Sequence, residues 1–131
     1  MLILEYIKKI KENNEYDTDW YDSIEDQYLN GDCEQLVFNL AILTDFAGEK
    51  IRIYQNECVH YVYKYNELFY DIRGSFNSIK EILSATSYYN ASSEENTDVD
   101  IDNFNDFFKK PSEFEEWINP SLFQKFSKYL K

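Results

Sequence analysis

Apolar positions recur at a helical period before residue 48 and at a strand period after it. Leu2, Ile3, Tyr6, Ile7 and Ile10 share one helical face and predict an amphipathic helix over Leu2 to Lys11. Asp22 or Ser23 can cap a short helix through Ile24 to Leu29, which ends at Asn30-Gly31. The next stretch, Gly31 to Gly48, predicts a third helix. Asp32 is its N-cap, Gln35 completes a variant capping box, and Gly48 supplies a left-handed end. Cys33, Leu36, Val37, Leu40, Ala41 and Thr44 share one face. Phe38, Ile42, Leu43 and Phe46 make the remainder apolar, so this helix is expected to be buried on most sides.

After Gly48 the apolar period drops to two. Lys50 to Tyr54 reads as a strand and Gln55-Asn56 as a turn. Cys58 to Tyr65 and Leu68 to Gly74 read as a hairpin joined by Asn66-Glu67. With a two-residue loop, Tyr65 pairs with Leu68, Val62 with Asp71, and His60 with Arg73. Asp71 then sits one diagonal step from His60 on the same face, a separation of roughly 7–8 Å between backbones. Farther on, Asn77 or Ser78 caps a short helix through Leu83. Ser87 to about residue 103 is polar and acidic and is expected to be a mobile loop. Phe104, Phe107 and Phe108 dock the chain back onto the body. Ser112-x-x-Glu115 resembles a capping box for a helix through Trp117. Pro120 suits the first turn of a last helix carrying Leu122, Phe123, Phe126 and Leu130, so helices are expected over about 112–130. No linker or repeat divides the chain. The pattern predicts one α+β domain over residues 1–131.

Composition narrows the functional classes. The 131 residues are 44% hydrophobic and 18% aromatic, enough for a packed core. A formal net charge of −12 argues against direct binding to nucleic acid or an anionic membrane, and favours a basic protein partner or substrate. Met1 to Lys9 does not fit a secretory signal, because the charges follow a short apolar run. Two cysteines are too few for a disulfide scaffold. A cytoplasmic protein is expected, with no membrane segment and no need of a cofactor.

The candidate chemistry lies in Cys33, His60 and Asp71. A cysteine in the first helical turn meets unpaired N–H groups and the positive end of the dipole, which favour a thiolate. A thiol, a base and a residue that orients the base are the parts of nucleophilic catalysis, with the Cys33 N–H as one oxyanion donor. Asp32 and Glu34 flank the thiol with negative charge, which a protonated His60 has to outweigh. Plainer readings exist for each residue. Cys33 could pack in the core, His60 could be a half-buried strand residue, and Asp71 could pair with Arg73 or Lys64. Cys58 shares a strand face with His60, so a zinc site of Cys33, Cys58, His60 and Asp71 is conceivable, but the ligand supply is thin and no metal is expected. Cys58 is expected to pack, a Cys33–Cys58 disulfide being out of place in a reducing compartment. The Tyr61, Tyr63, Tyr65 stripe reads as core or sheet face.

Residues about 30–75 resemble the transglutaminase-like branch of the papain-like cysteine enzymes. The likeness is carried by Gly31-Asp32-Cys33-Glu34 opening an apolar helix, then Arg52, His60 and Tyr70-Asp71-Ile72-Arg73-Gly74. Where those families carry alanine a turn after the cysteine, this chain has Leu36-Val37. The resemblance implies a nucleophile helix packed on a small antiparallel sheet with flanking helices. It also implies a cysteine-dependent hydrolase or acyltransferase with a Cys33, His60, Asp71 triad, acting as a protease, deamidase or transglutaminase-like enzyme on a protein. The alternative is an acidic, non-enzymatic interaction or inhibitor protein, for example phage- or plasmid-encoded, binding a basic host protein.

Overall fold

The computed structural model describes residues 2–55, 57–86 and 97–130. The first helices are α1 (Ile3–Asn13), α2 (Ile24–Asn30) and α3 (Cys33–Leu43). Strands β1 (Glu49–Gln55), β2 (Cys58–Tyr65), β3 (Leu68–Asp71) and β4 (Gly74–Phe76) follow, then α4 (Ile79–Ala85) and β5 (Asp98–Asp102). The chain closes with α5 (Asn105–Lys109), 3-10 turns over Pro111–Trp117 and Pro120–Leu122, and α6 (Phe123–Ser127). The five strands form one antiparallel sheet in the order β4-β3-β2-β1-β5, so the fold is α+β. Among the described residues no helix is long and apolar enough to cross a membrane.

The all-round apolar character of α3 has its expected consequence. Leu36, Val37, Phe38, Leu40, Ala41 and Ile42 are all buried, each large side chain contributing about 1.5–3 kcal/mol. α3 shares one core with Ile3, Tyr6 and Ile7 of α1, Tyr63 and Tyr70 of the sheet, and the C-terminal aromatics. Phe38 is the hub of that last contact, with ring centroids 4.9 Å from Phe107 and 5.3 Å from Phe114. Tyr63 fastens the far end, its hydroxyl 2.6 Å from Thr44 Oγ1 and accepting from the Gly48 N–H at 2.7 Å. The opposite sheet face packs Ile51, Ile53 and Val62 under Ile82 and Leu83 of α4. Ser78 caps α4 by accepting from the Glu81 N–H, and Ser23 caps α2 by accepting from the Asp26 N–H.

Several expectations are corrected. The third helix ends at Leu43, and its left-handed residues are Asp45 and Phe46, not Gly48. Gly48 is required for a different reason: a Cβ there would collide with the Lys64 carbonyl and the Tyr63 ring. Asp32 occupies the N-cap position but its side chain makes no capping hydrogen bond. The second hairpin strand stops at Asp71, so His60 does not pair with Arg73. Ile72-Arg73 form a two-residue turn, Asp71 pairs with Gly74, and β4 returns along β3. Residues 98–102 of the acidic stretch, expected to be a loop, form edge strand β5 beside β1. Residues 87–96 of that stretch lie outside the described residues. Gln55, expected in a turn, pairs with Cys58 at the end of β1, and its expected turn partner Asn56 is also outside the described residues. The expected Ser112 capping box does not form, because Pro111 opens a 3-10 segment with no side-chain cap. The last helix is broken too, and Phe123, like Leu2 at the start of the chain, is exposed rather than packed.

Asn39 is the polar joint between α3 and this C-terminal segment. It donates to the Gln35 carbonyl at 2.8 Å and the Trp117 carbonyl at 3.0 Å, and accepts from the Asn119 N–H at 2.8 Å. Asn39→Ala is expected to cost about 1–3 kcal/mol, since two main-chain groups lose their partner. Urea unfolding would show a lowered midpoint with an unchanged slope.

Candidate active site

The site begins with the turn after β3. Asp71 stands at the first position of Asp-Ile-Arg-Gly, a sequence suited to a tight turn, and accepts the Arg73 N–H at 2.8 Å. Gly74, at φ +125°, completes the reversal. The β2–β3 register is as expected, Tyr65 facing Leu68 and Tyr63 facing Tyr70. One further step places Asp71 across from Val62, diagonal to His60 on the α4 face of the sheet. The diagonal contact forms. His60 Nε2 lies 3.0 Å from Asp71 Oδ2, both side chains fully enclosed.

Arg73 closes the other side of the carboxylate. Its Nη2 donates to Asp71 Oδ2 at 2.7 Å and its Nε reaches both oxygens. Its Nη1 donates to the Ala85 carbonyl and Thr86 Oγ1 at the end of α4, so the pair is anchored to a helix. The plainer reading of Asp71 as a partner of Arg73 and the reading as a partner of His60 are therefore both realised. Burial pushes the Asp71 carboxyl up, but hydrogen bonds and charge from His60 and Arg73 more than offset this, and it is held below the usual carboxylate range. Burial pushes His60 down, while Asp71 and Cys33, by hydrogen bond and charge, raise it above its ordinary value.

Because Asp71 is ionised it accepts from Nε2, which fixes the neutral ring with its hydrogen there and its lone pair on Nδ1. Nδ1 is buried and has no hydrogen-bond partner of good geometry among the described residues. Cys33, besides Asp71, is the ionisable group that acts on this ring. It is the first residue of α3, buried, and not in a disulfide. Cys33 also lines a pocket of about 450 Å³ with Leu29, Asn30, Gly31 and Glu34 on one wall and Cys58, Val59 and Tyr61 on the other. Cys58 belongs to one sheet face and Val59 and Tyr61 to the other, so the pocket opens across the margin of β2.

The acids flanking Cys33 are both occupied. Asp32 accepts from Gln27 Nε2 at 2.7 Å and Gln35 Nε2 at 3.3 Å. Glu34 pairs with the buried ammonium of Lys50, which also meets Asp102 of β5 at 3.1 Å and lies over the Phe38 and Tyr61 rings. Burial pushes the Lys50 ammonium down, but the Glu34 and Asp102 pairs raise it overall, so it stays charged. Sequence reasoning missed Lys50 and treated Arg73 only as a rival partner. The Asp-x-x-Gly turn signal was available for Arg73, whereas nothing local marks Lys50. The four-residue zinc set does not assemble: Asp71 is committed to His60 and Arg73. No group of three or more His, Cys, Asp and Glu side chains among the described residues is placed to hold a metal ion. Cys58 packs against the Ile51, Ile53 and Val62 cluster.

The two shifts set opposite limits on stability. Asp71, held low, stabilises above its unfolded value of about 3.9, and that contribution is lost as pH falls through the folded value. His60, held high, stabilises below its unfolded value of about 6.5, and that contribution is lost as pH rises through the folded value. The unfolding free energy of the wild type minus that of His60→Gln is therefore expected to shrink above roughly pH 6.5. A difference independent of pH would mean that His60 titrates alike in both states.

A family model described as Phage YunG-like protein matches residues 3–118. No curated protein and no solved structure gives a significant match.

Proposed function

The chain belongs to the Phage YunG-like protein family, and we propose that this member is a cysteine-dependent hydrolase or acyltransferase acting on an amide or related acyl bond of a protein. The observation that carries this reading is the buried His60 ring, whose Nε2 is held by an ionised Asp71 and whose free Nδ1 is left to Cys33. The helix–strand–strand order of Cys33, His60 and Asp71 supports assigning the fold to the papain-like, transglutaminase-like class.

In this mechanism the Cys33 thiol gives its proton to His60 Nδ1 and the sulfur attacks the acyl carbon. The oxygen that gains the electron pair accepts from the Cys33 N–H, one of the first-turn donors that have no partner within the helix. Collapse breaks the bond to the leaving group, which takes the proton from His60, and a thioester remains on Cys33. Water or an amine, deprotonated by His60, then releases the acyl group and restores the thiol. Asp71 keeps the ring in the working tautomer throughout. Arg73 pairs with Asp71 and Lys50 with Glu34, while Asp32 is held by neutral glutamine amides, so of the two acids flanking Cys33 one is matched by a cation. The net charge of −12 favours a basic substrate, and the compartment we assign is the cytoplasm.

Iodoacetamide near pH 6 is expected to alkylate Cys33 about tenfold or more faster than Cys58, because an ordinary thiol with pKa of about 8.5 is then almost wholly protonated. His60→Ala should bring Cys33 toward the Cys58 rate, and Asp71→Asn should have a smaller effect. Equal, slow labelling of both cysteines, unchanged by His60→Ala, would leave the acidic interaction protein as the better reading. Lys50→Met should slow Cys33 alkylation by leaving Glu34 unmatched, with the rate recovered in Lys50→Arg. Peptide mass spectrometry across a pH series reads all four variants.

A further inference from the structure

Among the described residues, the early end of β3 leaves part of β2 without a strand beside it. In a hairpin with a two-residue loop, the residues flanking the loop exchange both main-chain hydrogen bonds, and every second residue does the same. Tyr65 and Leu68 flank the Asn66-Glu67 loop, so residues 65, 63, 61 and 59 of β2 turn their N–H and C=O toward the β3 side. The turn between β1 and β2 gives the same parity, with Gln55 and Cys58 as its flanking pair and even-numbered residues facing β1. β3 pairs with β2 at residues 63–65 and turns away after Asp71. The outward groups of Tyr61 and Val59 therefore face the place where a continued β3 would have run. Both residues, with Cys58, also line the pocket that Cys33 lines, and Val59 is 37% exposed.

We propose that this open margin of β2 takes an extended polypeptide segment as an added strand, its main chain bonding to Val59 and Tyr61 so that a peptide carbonyl passes Cys33. The inference rests on the catalytic reading and specifies its substrate class: an unstructured or locally unfolded polypeptide stretch, recognised by backbone rather than by side-chain identity. Unpaired strand groups are a ready template for such pairing, and strand spacing of about 4.8 Å brings the added chain alongside the margin. The rest of the pocket lining comes from Leu29, Asn30, Gly31, Cys33 and Glu34, at the end of α2 and the start of α3. With Glu34 already matched by Lys50, the wall beside the nucleophile does not demand one particular charged side chain.

The test compares the capped trialanine chloromethyl ketone with chloroacetone, which carries the same reactive group without a peptide, and with isomers N-methylated at one amide each. Labelling rates are read at Cys33 and Cys58 of the full chain. The peptide is expected to label Cys33 about tenfold or more faster than chloroacetone, with no such preference at Cys58. N-methylation at the amide facing β2 should lower the Cys33 rate about three- to tenfold, the worth of one hydrogen bond. Val59→Pro removes one outward N–H without touching the β1 ladder, and should slow the peptide but not chloroacetone. Equal rates for peptide and chloroacetone, or N-methyl isomers all as fast as the parent, would overturn the proposal. Because each comparison is a ratio at one thiol, it is separate from the iodoacetamide result: loss of His60 dependence there would overturn the catalytic reading while leaving these ratios informative.

Discussion

One carboxylate organises the centre of the molecule. Asp71 is buried, and a buried charge without partners would cost several kcal/mol. It meets that constraint by accepting from three directions: the His60 ring, the Arg73 main chain and the Arg73 guanidinium. Each has a structural consequence. The main-chain bond ends β3 and reverses the chain into β4. The guanidinium reaches on to the end of α4 and ties that helix to the turn. The imidazole bond fixes which nitrogen of His60 carries hydrogen and which is left for Cys33. The termination of a strand and the tautomer of His60 are thus two effects of the same side chain.

A second constraint is charge around the first turn of α3. Asp32 and Glu34 would oppose a thiolate between them, yet neither acts as a free anion. Two glutamine amides hold the Asp32 carboxylate, which makes no capping hydrogen bond to the first turn of α3. Lys50 takes Glu34 and, with its second acidic partner Asp102, joins β5 to β1 and to the start of the helix. The alternation of acids in β5 is in part a matching of this sheet edge: Asp100 meets Arg52 at 3.6 Å as Asp102 meets Lys50. The acidic composition here has a local structural use as well as a bearing on partners.

Local periodicity and turn chemistry determined much of this protein without any help from distant residues. The apolar circumference of α3, the caps of α2 and α4 (each narrowed to two adjacent residues, of which the serine is the cap), and the Asn66-Glu67 register each depend on residues a few positions apart. That register carried His60 and Asp71 into contact, because antiparallel pairing fixes a diagonal once the loop length is known. Tertiary structure decided what depends on partners far along the chain. β5 is a strand because β1 offers an edge with Lys50 and Arg52 facing its acids, although its own sequence is depleted in strand formers on alternate positions. Gly48 is set by the approach of Lys64 and Tyr63, and the Asp32 carboxylate accepts from Gln27 instead of capping the helix. The place of Cys33 near His60, from a helix on one sheet face and a strand residue on the other, follows from how α3 packs on the sheet. Sequence spacing supplies the residues, but only packing fixes the margin at which they meet.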